Sequence, residues 1–357
     1  MINVGMIGCG WIAEKAYLPI IMNMDDVNLS SVFDIDFQKA HEIQEKYGVP
    51  NIFDSIDLFL SQPLDGIIIT APNNTHTYYT NMALKAGKHV LCEKPVALSK
   101  SDIESTLAIA HTHNKIFLPA FVNRFRRDIV KFSEIVSLIG AVKEVEVSWL
   151  RKSGIPRPGT WITNKSSAGG GVLTDIGTHV IDIGLRFFSV KRIQSVKLEQ
   201  GIAEKAAQKE AQWNKNNEIQ KFDFDVETWA KGEVTFFDGS ELKFNVDWSS
   251  DRDEDITMIK AAGVNGTVSI KTLFGFSNNF TRDNTEILYE ETNGRRKKHI
   301  YPLINTFALD GFHDMFRYFI DLIKGQGATT LQPCDGVHVV DVIEHLYTSA
   351  QSDQVNL

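Results

Sequence analysis

Two separated groups of residues in this chain have the types and spacing for redox chemistry on an alcohol or a carbonyl. Near the start, Gly8-Cys9-Gly10-Trp11-Ile12-Ala13 follows the G-x-G-x-x-A pattern of a dinucleotide pyrophosphate cradle. In that pattern Gly8 permits a tight turn, Gly10 lets the backbone approach the pyrophosphate, and Ala13 allows close helix–strand packing. A helix beginning there adds N–H groups and partial positive charge for the phosphates. Near the middle, Gly169-Gly170-Gly171 precedes Asp175 and His179, four residues apart and therefore on one face of a helix. An imidazole suits removal of a hydroxyl proton near neutrality. Between the two groups, Lys94 in Glu93-Lys94-Pro95 offers a cation to hold an oxygen as it gains negative charge, with Asp175 orienting Lys94 or the substrate.

Simpler readings compete. A polar i,i+4 pair alone is more often surface decoration. A metal site from Asp175, His179 and Asp182 is disfavoured, because three ligands spread over two turns of one helix rarely converge on one ion. No metal is therefore expected. Asp34 ends an apolar run about 26 residues after Gly8, a little beyond the usual spacing of about 20 for the acid that accepts the ribose hydroxyls. Its charge would repel a 2′-phosphate, and no Arg or Lys follows before Lys39, so NAD is expected over NADP. Asp36 is the competing candidate.

The elements that must position these groups are legible as patterns. Val4–Ile7, 29–33, 66–70, 89–92 and 116–120 are continuous apolar runs, as in strands of a parallel sheet covered on both faces. Helical spacing between them, as over 75–86 before Gly87, gives a doubly wound sheet. After residue 121 the pattern changes. Val145, Val147 and Trp149 alternate with polar residues, as do Leu242, Phe244, Val246 and Trp248, and 267–270 adds a short strand. Asp238-Gly239 predicts a type I′ hairpin turn after a partner strand over 234–237. A mostly antiparallel sheet follows, with helices on one face and the other free for a ligand or a second subunit. Amphipathic helices are expected around Phe312–Phe319 and Val339–Leu346, and 203–217 is a polar excursion. The expected architecture is α/β, with an N-terminal Rossmann domain over 1–121 and a C-terminal α+β domain over 122–357.

Bulk composition narrows the function classes. At 357 residues the chain is long enough for two domains, and its 43% hydrophobic and 23% charged content is that of a globular enzyme. A net charge of −8 argues against a nucleic-acid partner. Arg295-Arg296-Lys297-Lys298 is best taken as a solvated surface. Cys9, Cys92 and Cys334 are odd in number and scattered, which fits a reducing compartment. The apolar residues begin at Ile2 without a leader-like segment, and no run approaches the roughly 18 residues of a membrane span, so a cytoplasmic protein with no membrane partner is expected.

Gly8-x-Gly10-x-x-Ala13, Glu93-Lys94-Pro95, Asn123-Arg124 and the segment Gly169 to Asp182 together resemble the glucose–fructose oxidoreductase/inositol dehydrogenase (Gfo/Idh/MocA) family over nearly the whole chain. The resemblance implies a Rossmann domain, an open-sheet C-terminal domain that commonly forms a homodimer or homotetramer interface, and a tightly held nicotinamide cofactor. It implies catalytic roles for Lys94, Asp175 and His179, with a cis bond before Pro95. It further implies that Ala71, Pro72, Asn73, His76 and Glu93 line the nicotinamide end. Asn123, Arg124, Lys152, Arg157, Trp161 and Thr178 become substrate contacts, with 154–161 as a loop over a sugar site. An interdomain salt bridge is an equal reading of Arg124. The expected activity is hydride transfer at a hydroxyl carbon of a sugar, inositol or related polyol. Two alternatives are an NAD-retaining glycoside hydrolase and a non-catalytic nucleotide- or sugar-sensing regulator.

Overall fold

The computed structural model describes residues 1–203, 224–277, 279–281, 284–302, 307–326 and 335–355. All but the first residue of the expected 203–217 excursion lie outside them. The chain divides into two compact units, neither of them a continuous stretch: Met1–Val122 with Leu309–Val337, and Asn123–Ala308 with His338–Leu357.

The first unit is built on a six-stranded, all-parallel sheet of β1 (Ile2–Ile7), β2 (Val27–Phe33), β3 (Asn51–Phe53), β4 (Gly66–Ile69), β5 (His89–Cys92) and β6 (Phe117–Pro119). The strand order is β3-β2-β1-β4-β5-β6, a doubly wound arrangement whose order reverses beside β1. Val4, Ile67, Ile68, Ile69, Val90 and Leu91 are fully buried, as continuous apolar runs require. The strand β3 carries no alternation and escapes a sequence reading. The distant helix Phe307–Ile323 supplies Met315, Phe316, Phe319 and Ile320 to this unit's core. It approaches so closely that a Cβ on Gly66 would stand 2.9 Å from Ile323 Cδ1.

The second unit holds an eight-stranded sheet of β7 (Val142–Leu150), β8 (Ile193–Gly201), β9 (Trp229–Phe236), β10 (Glu241–Asp247), β11 (Ile256–Gly263), β12 (Gly266–Thr272), β13 (Asn284–Glu291) and β14 (Arg296–Pro302). Its order is β14-β13-β12-β11-β7-β10-β9-β8, antiparallel throughout except for the central pair β7–β10. Inward residues such as Val145, Val147, Leu242 and Val246 are buried, and helix Thr178–Leu185 packs on them, Gly184 lying tight against Leu242. The outward face is polar and laced with ion pairs such as Lys260–Glu146 and Lys197–Glu233. The β9–β10 hairpin forms, but its turn is not type I′. Gly239 has a φ of 78° while Asp238 does not share the positive φ that type I′ demands, and Phe236 O accepts from Gly239 N at 2.9 Å. This is a type I turn closed by a left-handed glycine.

Of the basic clusters, Arg124-Phe125-Arg126-Arg127 is in good part internal. Arg126 is 1% exposed, pairs with Asp128, and donates to Thr272 Oγ1 and Leu273 O. Arg295 to Lys298 lie exposed at the outer strand.

Candidate active site

In the first unit the glycine turn joins β1 to a π-helical turn, Ala13–Tyr17, that continues as an α-helical turn, Leu18–Ile21. The two glycines are needed for different reasons. Gly8 has a φ of 93°, and a Cβ there would stand 2.7 Å from Ala71 N, so the protein's own packing forbids a side chain. At Gly10 nothing lies within 4 Å of the Cβ position. The fold leaves room there that a close-approaching pyrophosphate would use, and the residues therefore fit a dinucleotide. Asp34 follows β2 and its carboxylate turns back to the same turn, Oδ2 accepting from Cys9 N at 2.7 Å and Oδ1 from Asp36 N at 2.9 Å. Burial first, then the Asp34 charge, pushes the Cys9 thiol up to about 12, so it stays protonated. Trp11 and Ile35 are strongly exposed beside this turn.

Beyond β4, Ala71, Pro72, Asn73 and His76 follow in sequence, and of these His76 reaches the Glu93-Lys94-Pro95 segment that follows β5. His76 is buried, with Nδ1 2.7 Å from Pro95 O and Nε2 2.7 Å from Ala71 O. Its ring ties the two segments together. Burial lowers its pKa, against the raising effect of the two carbonyls. Tyr17, fully buried on the π-helical turn, donates to Glu93 Oε1 at 2.8 Å, and Glu93 Oε2 accepts from Lys94 N at 3.1 Å. The Lys94–Pro95 bond is cis. Lys94 thus stands on a segment held by both Tyr17 and His76, and its side chain is half-buried.

In the second unit the Gly169-Gly170-Gly171 run leads into another π-helical turn, Leu173–Gly177, followed by helix Thr178–Leu185. Asp175 and His179 lie across this junction. π-Turns inside helices recur at functional sites, and here both chemistry-bearing helices begin with one. Trp248, fully buried just after β10, donates its indole N–H to Asp175 Oδ2 at 3.0 Å. The ring of Trp149, on β7, lies 5.9 Å from that of His179, tilted by 47°. His179 is 8% exposed, so the pair is not surface decoration.

Other expected contacts divide. Arg124 makes a bidentate ion pair with Asp182 inside this unit, both side chains buried, which occupies the carboxylate weighed as a metal ligand. Thr178 Oγ1 donates to Thr174 O at 2.6 Å within its own helix. Asn123 is 4% exposed. Lys152, Arg157 and Trp161 are exposed along an irregular stretch, where Thr160 Oγ1 donates to Arg157 O. Among the described residues no group of three or more His, Cys, Asp and Glu could hold a metal ion.

Sequence reading does not single out Tyr17, Glu227, Trp248 or Tyr347. Glu227 Oε1 accepts from Gly171 N at 2.9 Å, Leu173 N at 3.0 Å and Tyr347 Oη at 2.8 Å. No local signal marks residues this far away in sequence; only the unexplained third glycine hints that something packs closely there.

Residues 2–121 match a family described as an oxidoreductase family with an NAD-binding Rossmann fold, and residues 137–269 match the GFO/IDH/MocA C-terminal domain. The chain belongs to the Gfo/Idh/MocA oxidoreductase family. A protein of Amycolatopsis mediterranei (strain S699), assigned as the oxidoreductase subunit of UDP-kanosamine synthase, is 25% identical over 98% of this chain and 96% of its own. The D-glucoside 3-dehydrogenase of Escherichia coli (strain K12) is 29% identical over 68% of each chain. The crystal structure of KijD10, a 3-ketoreductase from Actinomadura kijaniata in complex with NADP and TDP-benzene, shares the fold with a TM-score of 0.76 at 17% identity, covering 97% of both chains. This Gfo/Idh/MocA protein is an oxidoreductase with an NAD(P)-binding Rossmann fold, and among its described residues no helix is long and apolar enough to cross a membrane.

Proposed function

We propose that this protein transfers a hydride between NAD and a hydroxyl-bearing carbon of a sugar, inositol or sugar derivative. The observation that carries the reading is the Asp175/His179 pair, its imidazole buried and its two members held against two tryptophans. In the oxidative direction the carbon loses a hydride and its oxygen loses a proton. A bound nicotinamide dinucleotide would supply the hydride acceptor. His179 takes the hydroxyl proton, and Lys94 stabilises the oxygen as its charge grows. Asp175 orients the reacting groups. Residues 1–121 hold the nucleotide. Gly10 admits the pyrophosphate, and Asp34, fixed against the glycine turn, receives the ribose hydroxyls and disfavours a 2′-phosphate. Residues 122–357 bind the sugar, with Lys152, Arg157 and Trp161 as the exposed, adaptable contacts. The outward face of the eight-stranded sheet is the surface through which a homodimer or homotetramer would form. The names of the relatives, which include a glucoside 3-dehydrogenase and a 3-ketoreductase, support a sugar substrate.

The test is NADH formation at 340 nm with excess NAD and a panel of inositols, aldoses, glycosides, sugar phosphates and nucleotide sugars. A signal on one compound, lost in Lys94→Ala and His179→Ala proteins, supports the reading. Glycoside cleavage without net NADH would favour a cofactor-retaining hydrolase, and absence of NAD(H) binding by calorimetry would end the proposal.

A further inference from the structure

We infer that Trp248 is a positioning residue for Asp175, an inference that rests on the function proposed above. A buried tryptophan usually satisfies its single N–H donor inside the protein; among the described residues the Trp149 indole N–H does not, while that of Trp248 does. Trp248 does so on the carboxylate of the candidate catalytic pair, at 3.0 Å from Asp175 Oδ2. A neutral donor on an ionised acceptor makes a charge-assisted bond, stronger and more directional than a neutral one.

The surrounding backbone fixes both ends of this bond from two consecutive residues. Glu227 holds the start of the Asp175 helix, its Oε1 accepting from Gly171 N and Leu173 N while its carbonyl accepts from Val172 N at 2.9 Å. Thr228 O accepts from Trp248 N at 3.0 Å. Donor and acceptor are thus hung from adjacent points, which leaves Asp175 little freedom to turn away from the indole. The sheet register adds His179 to the same arrangement. In the parallel pair β7–β10, Val246 stands opposite Trp149, so Trp149 and Trp248, two residues beyond Val246, rise from one face of the sheet. One indole meets the carboxylate and the other meets the imidazole. The arrangement positions a reacting pair rather than merely filling a core, because a phenylalanine would fill most of the same volume.

The test combines turnover with a spectroscopic signature in the full-length protein. Trp248→Phe should lower kcat by about 10- to 100-fold through loss of orientation, with KM and NAD affinity little changed. In an Asp175→Ala background the same substitution should cost nothing further, because the bond it removes is already gone. Wild-type kcat in Trp248→Phe, or an equal loss in both backgrounds, would overturn the inference. The indole N–H resonance of Trp248 in an 15N-tryptophan-labelled sample should move upfield in Asp175→Ala. An unmoved resonance would overturn the inference even were Trp248→Phe too unstable to study. If Lys94→Ala and His179→Ala instead retained full turnover while the indole resonance moved, the proposed function would fail and the Trp248–Asp175 bond would stand.

Discussion

Glu227 occupies the place that a side chain at Gly171 would need. A Cβ on Gly171 would stand 2.0 Å from the Glu227 carbonyl oxygen, while the Glu227 carboxylate accepts the Gly171 N–H. Gly170 is similarly confined, its Cβ position lying 2.0 Å from Tyr347 Oη. The glycine run before Asp175 is therefore a place of close backbone approach within the protein, and the approach anchors the helix that carries Asp175 and His179. Gly171→Ala should lose at least about 1–3 kcal/mol of stability, because the contacting atoms are backbone and cannot swing aside. Urea unfolding would show it, and an unchanged midpoint would refute the close approach.

The Glu227 carboxyl should leave a mark on the pH dependence of stability. Burial pushes it above the ordinary value of 4.5, against the lowering effect of its hydrogen-bond donors. The folded protein then holds this proton at pH values where the unfolded chain has released it. Its stabilising contribution is complete below 4.5 and is lost as pH rises through the folded value. Glu227→Gln keeps an acceptor oxygen for Gly171, Leu173 and Tyr347 and does not titrate. It should match the wild type below 4.5 and become the more stable of the two as pH rises, as denaturant melts at several pH values would show.

The two glycines of the nucleotide turn should separate cleanly. Gly8→Ala meets Ala71 and an unfavourable positive φ, so it should lower thermal stability. Gly10→Ala meets nothing within 4 Å and should fold as well as the wild type. Calorimetry should nevertheless find its NAD affinity reduced about tenfold or more, since one misplaced methyl costs at least about 1.4 kcal/mol at a close contact. Full affinity in Gly10→Ala would remove the pyrophosphate from this turn.

Asp34 is expected to set the nucleotide preference through its charge. Asp34→Asn keeps an oxygen for the turn's backbone but loses the repulsion toward a 2′-phosphate. The ratio of NAD to NADP affinity should fall about tenfold, the scale of one lost charge interaction. An unchanged ratio would place the discrimination elsewhere.

His179→Asn should lower kcat by about 10²- to 10⁴-fold, the range for loss of a general acid–base. Lys94→Met should cost about 10²–10³ through loss of oxyanion stabilisation. Neither should weaken NAD binding much, which fluorescence titration would check. Retained turnover in both variants would mean that other groups carry the proton and hold the oxygen.

The amino-acid sequence by itself determined the local features whose physics is short-range. Continuous apolar runs specified parallel strands such as β4, and alternation in β7 and β10 specified strands with one wet face. Gly8 and Gly10 marked the turn at which the first strand ends. Tertiary structure decided what depends on partners far along the chain. The helix Phe307–Ile323 is amphipathic in sequence, but nothing local says that its Met315, Phe316, Phe319 and Ile320 enter the first unit's core. Asp238-Gly239 signalled a hairpin, while the register of its strands, with Phe236 N donating to Ser240 O, chose a type I turn. His76 carries no sequence mark of its two carbonyl partners, because those are backbone atoms that every residue possesses. Trp248 is likewise one more apolar residue at the end of an alternating run until the sheet and helix meet. Its single N–H then meets an acceptor, and only the packed structure determines that the acceptor is Asp175.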